Sequence, residues 1–129
     1  MRKTGLLLPL LVVGLFSFVF GDTPKPGSAA VQKKPEVKLT GEVICLSCYM
    51  DHNSKGDQHA SCAQMCAKNG VPLAILEDKT ANVYPLVKGH EGGNQDLAPY
   101  AGKRVTLTGH WLEKGGVKVF NFKAAAPTQ

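Results

Sequence analysis

Much of what usually announces a function is missing from this 129-residue chain. It contains no H-E-x-x-H, no G-x-S-x-G and no G-x4-G-K-[ST], so the common metalloprotease, serine-hydrolase and phosphate-loop signatures are absent. Gly89-His90-Glu91-Gly92-Gly93 is glycine-rich but lacks the spacing of a phosphate loop. Neither charge sign dominates. Taking Arg2 and Lys3, which belong to a removable leader, from the 15 basic residues leaves 13 against 10 acidic ones, a scattered excess that does not point to nucleic acid. Aromatics make up only 7% of the chain. Tyr100 and Trp111 could form a stacking platform, but cover for the core is the simpler use of two aromatics in so poor a set. The length excludes the large α/β enzyme folds, while 43% hydrophobic content excludes wholesale disorder.

No apolar run reaches the roughly 20 residues that a membrane-crossing helix needs. The longest, Leu6 to Phe20, follows the positive start Met1-Arg2-Lys3 and ends at Val19-Phe20-Gly21, small enough at −3 and −1 for signal-peptidase cleavage before Asp22. Residues 1–21 therefore read as a signal peptide, and the mature chain as periplasmic or secreted. Membrane association follows only if the leader stays uncleaved. No cysteine sits at the leader's end to carry a lipid. Residues 22–36 are rich in proline and lysine and read as a flexible linker. The folded unit is expected over 37–123, with 124–129 as a disordered tail. A core of that size needs a covalent or metal staple.

Within the unit, Val37, Leu39, Gly41, Val43 and Cys45 alternate with polar residues, as in a half-buried strand. Val71–Leu76 reads as a second, buried strand. Val83–Val87 returns after the turn Glu77-Asp78-Lys79-Thr80, with Pro85 favouring a sheet edge. Gly89–Gln95 is a loop. Val105, Leu107, Gly109 and Trp111 share a face of a fourth strand, and Glu113-Lys114-Gly115-Gly116 turns it onto Val117–Phe122. Five such strands predict a mainly β protein, a small antiparallel barrel of OB-like form. One short helix, Cys62–Lys68, is inserted between strands 1 and 2, capped by Ser61 and stopped by Asn69-Gly70.

The four cysteines, Cys45, Cys48, Cys62 and Cys66, fall in one window together with His52 and His59. A C-x2-C leaving a strand can fold as a knuckle, and Cys62 and Cys66, four apart, share a helix face. His59 joins that stripe if the helix starts a turn early, and His52 is a further candidate ligand. Thiolates and imidazole suit zinc, and soft sulfur suits copper(I), for which Met50 and Met65 are nearby thioethers. Disulfides from knuckle to helix are the competing reading in an exported chain, and a thiol–disulfide redox protein is a third. Covalent haem does not fit, because Tyr49 follows Cys48 where a histidine is required. His90 and His110 lie far from the window and read as solvated residues.

The segments Gly41-Glu42-Val43, Pro72 to Asp78 and Tyr100 to Gly109 enclose Cys48-Tyr49 and His59-Ala-Ser-Cys62-Ala-Gln-Met-Cys66. In that order the chain resembles a group of exported bacterial OB-like small barrels of uncharacterised function, over about Leu39 to Phe122. The resemblance implies the barrel and the Cys/His insertion, and it carries no activity. The expected function is therefore an exported barrel binding zinc or copper at Cys45, Cys48, Cys62, Cys66, His59 and His52, with a structural or carrier role and no catalytic residue. The partner is a metal ion or an unidentified protein.

Overall fold

The computed structural model describes residues 33–128; the predicted signal peptide and the linker as far as residue 32 lie outside the described residues. The fold is mainly β. Its strands are β1 (Val37–Cys45), β2 (Leu73–Glu77), β3 (Val83–Val87), β4 (Arg104–Lys114) and β5 (Val117–Pro127). Three short helices, α1 (Leu46–His52), α2 (Ala60–Lys68) and α3 (Asn94–Leu97), join them, with 3₁₀ turns at Asp57–His59 and Ala98–Tyr100.

The strands hydrogen-bond in a closed ring, β1-β2-β3-β5-β4, in which β1 serves both neighbours. Its first half pairs with β4, from Val37↔Gly109 to Glu42↔Arg104, and its second half with β2, from Gly41↔Glu77 to Cys45↔Leu73. Gly41 lies where the two ladders overlap, and a Cβ there would collide with the Leu76 carbonyl of β2. The apolar residues of the alternating strands meet inside. Val43, Leu73, Ile75, Val105, Leu107 and Phe120 are fully buried, and Ala63 and Ala67, four apart on α2, pack the helix onto the same core.

Several expectations are corrected. The ring is not wholly antiparallel, because β3 and β5 run parallel at Leu86↔Phe120 and Val87↔Asn121. Strand directions cannot alternate all the way round a ring of five, so at least one neighbouring pair must be parallel. Pro85 is not at a free edge, since β3 is paired on both sides; the parallel ladder begins at Leu86, just past the residue that has no N–H to give. Residues 124–127 are not a tail but the end of β5, paired from Thr108↔Ala124 to Val105↔Pro127. Their alanines contribute backbone rather than bulk, satisfying the side of β4 that would otherwise be an open edge.

The insertion holds two helices where one is expected. The C-x2-C segment forms α1 instead of a loop knuckle, with Cys45 as its N-cap in extended conformation and Asn53 (φ 54°) closing it in the left-handed region. Helix α2 starts at Ala60 with His59 as N-cap, so Ser61 lies within the first turn and does not cap it. Gly70 (φ +83°) supplies the left-handed stop. The loop at 89–95 runs into α3, whose Leu97 is buried.

Candidate metal centre

Two hydrogen bonds bring residues 18 apart in sequence into contact. The Leu46 N–H at the start of α1 donates to the Pro72 carbonyl (3.0 Å), and the Val71 N–H donates to the Cys66 carbonyl near the end of α2 (2.9 Å). Both helices are thereby tied to the dipeptide that leads into β2. As a result Cys48 and Cys66 face each other with their Sγ atoms 3.8 Å apart. That is far beyond the S–S bond of about 2.05 Å, and all four cysteines are free thiols.

Cys45, the last residue of β1 and fully buried, joins them: the Sγ atoms of Cys45, Cys48 and Cys66 all lie within 4.8 Å of one another. A second group, Cys48, His59 and Cys62, satisfies the same limit. The two triads share Cys48. Burial falls from the first to the second, from Cys45 inside the core to an exposed Cys62.

His59 is held by backbone contacts at some distance in sequence. The Gly56 N–H donates to the Glu42 carboxylate on β1, anchoring the turn that leads into α2. Gly102 backs the same turn, and a Cβ on it would stand 2.7 Å from the Gly56 carbonyl and 2.8 Å from the Ala60 Cβ. The Gly102 N–H in turn donates to the Val43 carbonyl (2.8 Å). In this position the His59 Nε2 is buried and has no hydrogen-bond partner among the described residues. A buried ring nitrogen without a partner is unusual and requires an explanation. Coordination of a metal would satisfy it.

The thiols are electrostatically suited to a cation. The Cys48 thiol is pushed up to about 12, chiefly by its hydrogen bond to the Cys45 thiol and then by burial. Burial is also the main cause raising Cys66. Crowded thiols hold their protons when no positive charge faces them, and a bound metal reverses this by deprotonating a coordinating thiol outright. The same shift disfavours a nucleophilic redox cysteine, which needs a lowered pKa.

His52 is not brought to the cluster; it is exposed at the last residue of α1. His90 is exposed, and His110 contacts Asn121 (3.3 Å) on the outside of β4 and β5. Trp111 is half-buried, edge-on to Tyr84 (centroids 4.6 Å) and Phe120 (4.9 Å), with the Lys118 Nζ 4.4 Å above its ring. That ammonium occupies the face a stacked base would need. Sequence reading misses Glu42 and Gly102 as supports of the site. Their only signals are a carboxylate on the outer face of β1 and a glycine ahead of β4, and both are common. Neither a protein-family model, nor a curated protein, nor a solved structure matches this chain.

Proposed function

We propose that this chain is an exported protein of OB-like barrel form whose Cys/His insertion binds a soft transition metal ion, zinc or copper, in a structural or carrier role. The observation that carries the reading is the convergence of four cysteine sulfurs from β1, α1 and α2 with a buried His59 Nε2 that has no hydrogen-bond partner among the described residues. Cys45, Cys48 and Cys66 donate thiolates from the buried side, and His59 and Cys62 donate from the exposed side. Their protons pass to solvent as the metal binds. The ion then serves as the staple that a core of this size calls for.

A second reading has its own support. Cys45 with Cys66 and Cys48 with Cys62 are neighbouring thiols, so two disulfides could pin the insertion without metal. They would leave His59 Nε2 unpartnered, which favours the metal. Thiol titration of unreduced, metal-free protein under denaturant, alongside elemental analysis of protein from its native compartment, separates the two. Free thiols with stoichiometric zinc or copper support the metal reading; an absence of free thiols and of metal refutes it.

A further inference from the structure

Building on the metal reading, we infer that the site takes two monovalent soft ions, copper(I) in character, bridged by the Cys48 thiolate. One tetrahedral ion with metal–sulfur bonds of about 2.3 Å needs four donors roughly 3.8 Å apart. The five donors here do not form one mutually adjacent set; they fall into two triads with Cys48 in common. Three donors complete the shell of a trigonal copper(I) ion, whereas zinc in either triad would still want a fourth ligand. A thiolate sulfur has lone pairs enough to bind both ions at once. Cys48 belongs to both groups, with the Cys66 sulfur 3.8 Å away in one and the His59 and Cys62 donor atoms within 4.8 Å in the other.

The two positions differ in access. The inner ion is held by fully buried Cys45 with Cys48 and Cys66, and the outer one by Cys48, His59 and exposed Cys62. One turn beyond Cys62, Met65 presents its thioether to solvent at 65% exposure, with Met50 of α1 exposed at 69%. Two large apolar side chains left in water, each within two residues of a cluster cysteine in sequence, are explained if they receive soft ions on their way to or from the outer position. The inner ion is retained, and the outer ion exchanges. Loading breaks four S–H bonds, forms metal–sulfur and metal–nitrogen bonds, releases the protons to solvent and moves no electrons.

The test is an anaerobic titration of the full, reduced, metal-free chain with copper(I), in competition with a chromophoric copper(I) chelator. It is read as ions bound per chain, as copper(I)–thiolate luminescence and as a metal–metal path in X-ray absorption. Expected are two ions in the wild type with a metal–metal path. The double variant H59A/C62S, altered on the exposed side, should hold one ion and lose that path. Met65→Leu should keep two ions and slow transfer of the second to the chelator. Saturation of the wild type at one ion, with Cys62 still open to alkylation, overturns the two-ion site and leaves the metal reading standing. No copper(I) bound by a chain with its thiols free overturns the two-ion site, and failure of the same chain to bind zinc as well overturns the metal reading.

Discussion

Gly102→Ala tests how the fold supports the site. The substitution meets two separate obstacles. Gly102 has φ +76°, where a side chain costs roughly 1–2 kcal/mol. In addition, the new Cβ would stand 2.7 Å from the Gly56 carbonyl and 2.8–2.9 Å from Ala60, all of it backbone or Cβ that cannot swing aside. Overpacking of that kind adds about 1–3 kcal/mol. The sum, about 2–5 kcal/mol, lowers Tm by about 8 °C or more for a domain of this size. Gly115→Ala is the control, because its φ is +61° but nothing lies within 4 Å of the added Cβ. It carries the backbone strain alone and should lose about half as much or less. Relief of the overlap pushes Gly56 and Ala60 outward and takes His59 with them. Cys45, Cys48 and Cys66 stay tied to the Val71–Pro72 dipeptide. Gly102→Ala should therefore also lose the outer ion in a copper(I) titration, while Gly115→Ala keeps it. Equal Tm losses for the two variants, with unchanged metal binding, would refute the claim that Gly102 positions the turn carrying His59.

Removing Ala124–Gln129 should cost about 2–4 kcal/mol, because β4 loses its partners from Val105 to Thr108 at about 1 kcal/mol per hydrogen bond; urea unfolding measures it, and an unchanged midpoint would restore the tail to disorder. Phe120→Ala empties the centre of the core and should lose about 3–5 kcal/mol, read as a fall in Tm; a loss under 1 kcal/mol would contradict its burial. The Cys48 thiol is raised from 9.0 to about 12 in the folded chain, so the unfolded state gives up its proton first as pH rises. Metal-free protein should hold this contribution below about pH 9 and lose it between about pH 9 and 12. Metal-loaded protein, already a thiolate there, should show no such loss; parallel denaturation curves for the two forms would contradict this. Metal affinity itself should fall with acidification, because protons compete for the same sulfur lone pairs, and a chelator titration at graded pH checks the slope.

The strands were the legible part. Alternation along Val37–Cys45 and Val105–Trp111, the Gly115-Gly116 turn and the glycine stop at Gly70 act within a few residues, so local pattern suffices to find them. Helix α1 was hidden because it has seven residues, no side-chain cap and no buried face to leave a periodicity. The paired end of β5 was hidden because three alanines and a proline read as a tail until β4 lies beside them.

Composition and spacing by themselves settled that Cys48, Cys62, Cys66 and His59 would sit in one inserted segment directly after the strand that carries Cys45, since their clustering is a property of the chain alone. Which sulfurs meet was decided only in three dimensions. Cys48 reaches Cys66 because α1 and α2 hydrogen-bond to the same dipeptide, and it reaches His59 and Cys62 because Glu42 and Gly102 hold the turn between them. Those contacts join residues far apart in sequence, and they exist only once the strand ring has closed and fixed where each end of the insertion begins.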